Sequence, residues 1–339
     1  MLKLAFAGFR HGHIMSLYTG AQSHPDVRIV AACEEDRATF DSLKAAGKVE
    51  LTHSDFAEML KGVDCDAIAV GDYFAKRGEI IIAALNAGKH VIADKPVCTS
   101  LDELSEISRL TREKNLKLGC LLDLRDSGAF ITARRLILAG AIGEVLAIVF
   151  TAQHPLLLAT RPKWYFESGK HGGTINDIAI HAIDLIPWVT GETIAESISA
   201  RTWNARLPQY PHFHDGGQLM LKLASGAGIL GDVSYFTPDG LAYTAPQYWR
   251  MTFHGSKGLI EASFSQRTLS LGGSGDKFPR SIDVDPDVPN GCLESFLRDI
   301  AGKSREGDLV TLDVLDASRR VLLIQQAADQ NRHNVRLAP

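Results

Sequence analysis

The sequence predicts an α/β domain built on a parallel sheet, followed by an α+β domain whose sheet is open-faced and mostly antiparallel. In residues 1–122, short apolar runs alternate with helix-like segments, which is the rhythm of a doubly wound sheet. In residues 123–339, β-rich runs are separated by short turns, which is typical of hairpins. A chain of 339 residues is long enough for two such domains.

The first domain is predicted to be Rossmann-like. Its helix-like segments each connect two apolar runs, and Ser100 followed by Glu103 forms a capping-box pattern at the start of the last one. Gly88 is placed to end the helix before it. The predicted strands are 2–8, 27–33, 66–71, 90–94 and 116–122, and the predicted helices include 56–62, 79–89 and 100–115.

The second domain begins with a predicted helix at 127–139 and a strand-like run at 145–153. Turn residues at Ser225–Gly228 and at Gly255–Gly258 each interrupt a β-rich stretch, so each predicts a hairpin. Helical periodicity then returns at 291–303 and 312–331. An open antiparallel sheet leaves one face to be covered, and we therefore expect a homodimer or homotetramer formed through that face.

Composition excludes several classes of protein. The formal net charge is −4 with acids and bases interspersed, which argues against a nucleic-acid partner. The chain has no uninterrupted apolar run of about 18 residues, so we expect no membrane span. The five cysteines are scattered and never spaced as CxxC, which favours free thiols in a reducing compartment. The N-terminus lacks a signal-peptide pattern, and a cytoplasmic location is the expectation.

The loop after the first predicted strand, residues 7–14, partly matches a dinucleotide-binding fingerprint. Gly8 fits the first glycine of G-x-G-x-x-G, whereas Arg10 and His13 stand at the second and third positions. Glu34 ends the second predicted strand, where a carboxylate accepts hydrogen bonds from ribose hydroxyls and favours NAD over NADP. The alternative for Glu34 is an exposed acid at the end of a strand, without a ligand. Arg10 could contact the pyrophosphate or, less favourably, a 2′-phosphate.

Lys95 follows the predicted strand 90–94 and precedes Pro96. Ligands of open α/β sheets bind outside the carboxyl ends of the strands, so Lys95 is expected to face a ligand. An ammonium group there can hydrogen-bond a substrate hydroxyl and stabilise developing negative charge. The alternative is a solvated surface lysine.

The apolar segment 169–188 contains Asp177, His181 and Asp184, separated by four and then three residues. On a helix these spacings place all three side chains on one face. The pattern fits a metal site, a catalytic site or a hydrogen-bonded core, and we expect Asp184 to be a structural partner. Pro187 is expected to end or kink the helix near residue 183.

Taken together, two motifs resemble the Gfo/Idh/MocA family (glucose–fructose oxidoreductase, inositol dehydrogenase and rhizopine catabolism). The family's Glu-Lys-Pro motif is similar to Asp94-Lys95-Pro96, and its glycine-rich D-x-x-x-H motif is similar to Gly172-Gly173 with Asp177 and His181. The resemblance extends over nearly the whole chain. It implies a Rossmann domain beside an open-faced sheet with the nicotinamide between them. It also implies catalytic roles for Lys95 and His181, with Asp177 as their partner.

The resemblance implies an NAD(P)-dependent oxidoreductase that transfers hydride between the nicotinamide and a sugar, a polyol or a related cyclic alcohol. His181 would take the hydroxyl proton as a neutral imidazole near its ordinary pKa. One alternative is an NAD-retaining enzyme that cleaves glycosides through transient oxidation. Another is a dinucleotide-binding regulator without catalysis, which the altered glycine loop suggests.

Further residues complete the predicted site. The segment 71–77 departs from the family pattern, and Asp72 and Tyr73 are expected to line the cofactor. No metal is assigned, although His171, His212 and His214, together with His181, offer an alternative metal site. The predicted cofactor-binding residues are Gly8, Phe9, Arg10, His11, Gly12, His13, Glu34, Asp72, Tyr73, Asp94 and Lys95, with NAD preferred to NADP. The predicted substrate-binding residues are Trp164, Tyr165, Arg125 and His214.

Overall fold

The first sheet is parallel, as predicted. The computed structural model describes residues 1–337, so the last two residues of the predicted second domain lie outside the described residues. Five parallel strands lie in the order β2-β1-β3-β4-β5. The elements are β1 (Leu2–Ala7), α1 (Ile14–Ser23), β2 (Val27–Cys33), α2 (Arg37–Ala46), α3 (Phe56–Gly62), β3 (Ala67–Val70), α4 (Phe74–Asn86), β4 (His90–Ala93), α5 (Leu101–Glu113) and β5 (Leu118–Cys120).

Helices cover both faces of the first sheet, which explains why its strands are apolar. Every residue of β3 is buried, as expected for a central parallel strand covered by helices. The side chain of Ser100 accepts hydrogen bonds from the amides of Asp102 and Glu103, so α5 begins where the sequence predicts. Helix α4 begins five residues before the predicted 79, because Phe74 and Arg77 of its first turns are buried against the sheet.

The second sheet has nine strands in the order β13-β12-β11-β10-β6-β9-β8-β7-β14. Among the strand pairs that residues 1–337 form in this sheet, the β6–β9 pair alone is parallel, so the prediction of a mostly antiparallel sheet is confirmed. The β8–β9 and β10–β11 hairpins turn where the sequence predicts. The elements are α6 (Gly128–Leu138), β6 (Val145–Pro155), α7 (Ile180–Thr190), β7 (Ile194–Trp203), β8 (Gly216–Leu223), β9 (Gly228–Thr237), β10 (Arg250–Gly255), β11 (Gly258–Ser263), β12 (Thr268–Gly273), β13 (Arg280–Asp283), α8 (Gly291–Ile300), α9 (Thr311–Asp329) and β14 (Val335–Arg336).

The chain returns to the first domain near its C-terminal end. Leu293 and Phe296 of α8 share a hydrophobic cluster with Leu4 and Phe6 of β1. A Cβ atom at Gly119 would lie 2.9 Å from the ring of Phe296, so the strand and the helix are in close contact. The boundary between residues 122 and 123 stays a prediction, and α8 completes the core of the first sheet although it lies in the second predicted domain.

The helix that carries the polar stripe has two parts. Residues Ile175–Ala179 form a π-helical turn, and α7 continues from Ile180 to Thr190. Of the two predicted effects of Pro187, an end of the helix near residue 183 is wrong, since Pro187 lies inside α7 and the helix stops at Gly191 with a positive φ of 73°. A kink near residue 183 stays a prediction. The isoleucine, leucine and valine side chains of α7 are fully buried, and this packing offsets the hydrogen bond that Pro187 cannot donate.

Within residues 1–337, none of the helices combines the length and the apolar character that crossing a membrane requires.

Candidate active site

The two domains meet at an ion pair between Lys95 and Asp177. Lys95 follows β4, and its Nζ lies 2.6 Å from Oδ1 of Asp177 and 3.0 Å from the carbonyl oxygen of the same residue. Both side chains are at most 5% exposed. The Lys95–Pro96 peptide bond is cis. The structure thus brings together two predicted catalytic residues that are 82 positions apart in the chain.

Asp177 has two further partners that the sequence does not reveal. The hydroxyl of Tyr235 donates to Oδ2 of Asp177, and Nε2 of His171 lies 3.4 Å from the same oxygen. Burial alone would raise the pKa of Asp177, but Lys95 and His171 hold this pKa well below its usual range. Asp177 is therefore an ionised carboxylate that fixes the position of the Lys95 ammonium. Tyr235 lies on β9, and nothing in its local sequence indicates this contact.

His181 is buried one turn further along the same segment. Its ring meets Trp249 edge-on at 5.2 Å between ring centroids, and its Nδ1 has no hydrogen-bond partner among the described residues. Burial, and then the charges of Lys95 and His13, lower the pKa of His181 well below its usual value. The imidazole is therefore neutral, as predicted, but its pKa is not near the ordinary value, because the surroundings disfavour a second positive charge.

Asp123 is an acidic neighbour of the unpartnered nitrogen of His181, with Oδ1 3.7 Å from Nδ1. Its side chain is open to the cleft but surrounded by protein, and burial in this concavity raises the pKa of Asp123. The sequence gives no sign of this acid, because it lies in a short turn after β5.

Arg77 organises the loop that carries Lys95. It is fully buried and lies in α4, and it donates hydrogen bonds to backbone carbonyls of Asp72 at 2.8 Å and Pro96 at 3.0 Å, as well as to the carbonyl of Lys95. Its Nη2 also lies 3.0 Å from Oδ2 of Asp94. Asp94, a predicted cofactor-binding residue, is thus held by protein groups, and the backbone on either side of Lys95 is fixed.

The glycine loop has the close packing that a dinucleotide site requires. Gly8 has a φ of +80°, and a Cβ atom there would lie 2.7 Å from Cβ of Asp72, so only glycine fits. A Cβ atom at Gly12 would meet nothing within 4 Å, which leaves the start of α1 open to a ligand. Helix N-termini favour phosphate groups, so these residues fit the pyrophosphate of a dinucleotide.

Glu34 and Arg10 flank this loop. Glu34 is buried and accepts hydrogen bonds from the amides of Phe9 at 2.7 Å and Asp36 at 2.8 Å. Burial raises the pKa of Glu34 to about 7, and those two amides act against the rise. Arg10 stacks on the ring of Tyr73 at 4.9 Å and lies 3.7 Å from Asp36. Glu34 therefore stabilises the loop through its hydrogen bonds. Asp36, Arg10 and Tyr73 are only partly buried and form the more exposed side of the loop.

Two of the predicted substrate-binding residues, Trp164 and Tyr165, are buried between the domains. Trp164 donates a hydrogen bond from its ring nitrogen to the carbonyl of Arg10 at 3.2 Å. The rings of Trp164 and Tyr165 both contact Phe74 and His11 of the first domain. Protein contacts thus cover most of both rings, and their contact with a substrate stays a prediction.

The other two predicted substrate residues have protein partners. Arg125 binds both carboxylate oxygens of Asp184, at 2.8 and 2.5 Å, and lies 3.0 Å from Asp313. The structural role predicted for Asp184 is therefore confirmed. Nδ1 of His214 lies 2.8 Å from the hydroxyl of Thr202. His214 lines a separate polar cavity of about 600 Å³ that none of the predicted catalytic residues lines.

The metal site considered for the second domain does not form in the described part of the chain. His171 contacts Tyr235 and Asp177, His214 contacts Thr202, and His212 is exposed. Over residues 1–337, a different set, His11, His13 and Asp94, is the one group of three His, Cys or acidic side chains that could hold an ion.

Both domains match known protein families. Residues 2–121 match the oxidoreductase family with an NAD-binding Rossmann fold, and residues 130–261 match the GFO/IDH/MocA C-terminal domain. The chain belongs to the Gfo/Idh/MocA family. The family resemblance predicted from Asp94-Lys95-Pro96 and the D-x-x-x-H motif is therefore confirmed, and the first domain is an NAD-binding Rossmann domain.

Among characterised relatives, levoglucosan dehydrogenase of Pseudarthrobacter phenanthrenivorans is 28% identical over 54% of this chain and 47% of its own length. Inositol 2-dehydrogenase of Rhizobium meliloti is 24% identical over 79% of this chain and 78% of its own length. The match thus spans less than half the length of the first relative and most of the second.

Solved structures share the fold over the whole chain. An oxidoreductase from Agrobacterium radiobacter, in complex with NAD+, L-tartaric acid and magnesium, has a TM-score of 0.81 at 20% identity and covers 99% of this chain and 98% of its own. The scyllo-inositol dehydrogenase of Lactobacillus casei, with NAD(H) and scyllo-inositol, has a TM-score of 0.76 at 21% identity and covers 100% of both chains. At these identities the likeness shows a common fold.

Proposed function

We propose that this protein is an NAD-dependent oxidoreductase that transfers hydride between the nicotinamide and a CH–OH group of a sugar or polyol. The observation that carries the proposal is the buried Lys95–Asp177 ion pair, with neutral His181 on the same helical segment. The family membership and the names of the two relatives support the same reaction class and the same type of substrate.

Lys95, Asp177 and His181 have separate roles in the proposed reaction. When bound, NAD+ supplies the acceptor for the hydride. Lys95 donates a hydrogen bond to the reacting hydroxyl and stabilises negative charge on its oxygen, while Asp177 keeps the ammonium in place. His181 has a free lone pair because its imidazole is neutral, so it takes the hydroxyl proton. The tight packing around Trp164 and Tyr165 keeps water from one wall of the site.

The decisive experiment combines cofactor analysis with a substrate panel. Protein denatured after purification should release NAD, and NAD+ should be reduced in the presence of at least one sugar or polyol of the panel, faster than NADP+. Turnover of a glycoside without accumulation of NADH would favour the glycoside-cleaving alternative. Tight binding of NAD without turnover of any compound would favour the regulator and would contradict the proposal.

We also propose that the open face of the second sheet joins two or four copies of the chain. Val149 of β6, Leu230 of β9 and Met220 of β8 are directly paired across three neighbouring strands. Each of these three side chains is more than 40% exposed, so they form an apolar row on the solvent side of the sheet. Contiguous exposed apolar surface on a folded protein is typical of an interface.

Leu230→Glu tests this interface. A carboxylate in the middle of the row should convert the assembly to a monomer in sedimentation analysis at micromolar concentration. Leu312→Glu, at an exposed leucine at the start of α9, is the matched control and should leave the mass unchanged. A monomeric wild-type protein would contradict the proposal.

A further inference from the structure

The proposed reaction releases a proton, and the surroundings of His181 do not favour keeping it there. Oxidation of an alcohol by NAD+ gives a carbonyl compound, NADH and one proton. Burial, and then the charges of Lys95 and His13, hold the pKa of His181 well below its usual value, so a positively charged imidazole is unfavourable. A second group must therefore take a proton from the ring as the hydroxyl proton arrives. The inference that follows rests on the proposed function.

One ring nitrogen of His181 is buried without a partner. The side chain of His181 is 6% exposed, and its Nδ1 makes no hydrogen bond to the described residues. A buried polar atom without a hydrogen bond is costly. In a histidine that acts as a base, the hydrogen bond at one nitrogen also decides the tautomer, and thus which nitrogen is free to take a proton. An acceptor close to Nδ1 would therefore serve both purposes.

The carboxylate of Asp123 offers such an acceptor. Its Oδ1 lies 3.7 Å from Nδ1 of His181. A hydrogen bond has a length of about 3 Å, so the two atoms need to approach by about 0.7 Å. The side chain of Asp123 is 64% exposed to the cleft and is therefore free to turn towards the ring. Hydrogen bonds between catalytic groups are often long before the substrate binds and tighten in the complex.

The position of Asp123 suits it to accept a proton and to release it. Asp123 begins the short turn after β5, at the same edge of the first sheet as Lys95. Burial in the cleft raises the pKa of Asp123, although the charges of His13 and Lys95 act against the rise. A carboxylate with a raised pKa accepts a proton more readily than an ordinary one. Because the side chain is open to the cleft, the proton can then pass to water.

We propose that Asp123 is the positioning residue of His181 and accepts the proton that His181 gives up. The hydrogen of the neutral imidazole is then on Nδ1 and directed towards Asp123, so Nε2 keeps the lone pair. As hydride leaves the substrate carbon for NAD+, the hydroxyl O–H bond breaks and its proton binds Nε2. The Nδ1 proton passes to Oδ1 of Asp123 at the same time. The imidazole is thus neutral before and after the transfer, and Asp123 releases the proton to water.

Steady-state kinetics of Asp123→Asn with NAD+ and a compound that the wild type oxidises tests this role. The variant keeps the size of the side chain and removes its charge. We expect kcat to fall by at least about tenfold with little change in KM, since positioned proton transfer contributes about 100- to 10,000-fold. Asp123→Glu keeps a carboxylate and should retain more activity than Asp123→Asn. Asp26→Asn, at an exposed aspartate before β2, is the matched control with unchanged kcat.

Chemical rescue separates proton transfer from a structural role. Asp123→Ala leaves room in the cleft, where formate can supply the missing carboxylate. At constant ionic strength, added formate should raise the kcat of Asp123→Ala several-fold. It should leave the kcat of the wild type and of Lys95→Met unchanged, because both retain Asp123. The side chain of Asp123 is exposed, so its replacement should leave the melting temperature close to that of the wild type.

Three results would overturn this role of Asp123. A wild-type kcat in Asp123→Asn would remove Asp123 from the proton transfer. A rise in KM alone would make Asp123 a substrate-binding residue, and a kcat of Asp123→Ala that formate leaves unchanged would make the loss structural. In all three cases the wild type still reduces NAD+. A wild type that reduces NAD+ with no compound of the panel would instead overturn the proposed function, and the proton that Asp123 receives with it.

Discussion

Two buried ion pairs join the same helical segment to the same edge of the first sheet, and they serve different purposes. Lys95 after β4 pairs with Asp177, and Arg125 after β5 pairs with Asp184. The two aspartates are seven positions apart in the chain. Asp177 lies in the π-helical turn and Asp184 in the regular helix α7.

The two ion pairs differ first in their positively charged residue, which is an arginine in one and a lysine in the other. The planar guanidinium of Arg125 binds both oxygens of Asp184, reaches Asp313 and lies 5.8 Å over the ring of Trp188. Lys95 contacts a single carboxylate oxygen of Asp177, and the other oxygen accepts from Tyr235. A guanidinium fork fixes two groups rigidly, whereas an ammonium keeps hydrogens that can be directed to another acceptor. The arginine pair is thus suited to structure and the lysine pair to chemistry.

The pKa values of the two aspartates are also shifted in opposite directions. Burial raises the pKa of Asp184, and Arg125 only partly offsets this rise. For Asp177, the charges of Lys95 and His171 outweigh burial and hold the pKa well below its usual range. The π-helical turn accompanies this difference, in keeping with the frequent occurrence of π-helical turns at functional sites.

The largest expected effect is on catalysis in Lys95→Met. With its true substrate, kcat should fall by about 100- to 10,000-fold, the usual range for loss of a positioned proton-transfer or charge-stabilising group. Steady-state kinetics with NAD+ measures this change, and Lys61→Met, at an exposed lysine of α3, is the control with unchanged kcat. An unaltered kcat in Lys95→Met would remove Lys95 from the reaction.

Arg125→Met should affect stability more than rate. Removing the guanidinium leaves Asp184 buried without its main partner, which costs about 3–5 kcal/mol of unfolding free energy. Urea unfolding measures the loss, and the kcat of the folded fraction should change by less than Lys95→Met changes it. The double variant Arg125→Met with Asp184→Leu should recover much of the stability, because replacing a buried ion pair by apolar groups is often close to neutral. If Arg125→Met lost as much activity as Lys95→Met, the distinction between a structural arginine pair and a catalytic lysine pair would be wrong.

Tyr235→Phe should have an intermediate effect. The hydroxyl of Tyr235 donates to ionised Asp177, and loss of a hydrogen bond to a charged group costs about 1.5–3 kcal/mol. Chemical denaturation of the variant beside Tyr243→Phe, at a tyrosine that is 40% exposed, checks this value. Equal stability of the two variants would show that the Tyr235 contact is energetically unimportant.

The smallest expected effect is a difference in the pH dependence of stability. The folded-state pKa of Asp177 lies below its unfolded value of about 3.9, so its stabilising contribution is complete above that pH and is lost as the pH falls through the folded-state pKa. The pKa of Asp184 is raised, so its ionisation opposes folding above about pH 3.9 and this cost disappears as the pH falls.

Unfolding free energies of the wild type, Asp177→Asn and Asp184→Asn between pH 6 and pH 3 distinguish the two aspartates. The advantage of the wild type over Asp177→Asn should shrink towards acid pH. The difference between the wild type and Asp184→Asn should move in the opposite direction. Parallel curves for the two variants would contradict the opposite pKa shifts.

Much of the fold follows from local patterns. The apolar runs at 2–8, 27–33, 66–71, 90–94 and 116–122 each contain one of the five strands of the parallel sheet, because helices cover such a sheet and its strands therefore read as short apolar runs. The hairpins at Ser225–Gly228 and Gly255–Gly258 follow from turn residues between alternating runs. The packing of α8 against β1 cannot be predicted from local patterns. The amphipathic pattern of α8 shows that one face of the helix is buried, but not which element covers that face.

The sequence by itself determined the family, the parallel and antiparallel sheets, and the polar residues Lys95, Asp177 and His181, because motif spacing and hydrophobic periodicity are local properties. Only the tertiary structure decided how these residues are paired. Tyr235 and Arg77 reach the site from β9 and α4, and Arg125 turns away from it to Asp184. Burial and neighbouring charge set the pKa of each group, and both arise only when distant segments pack together.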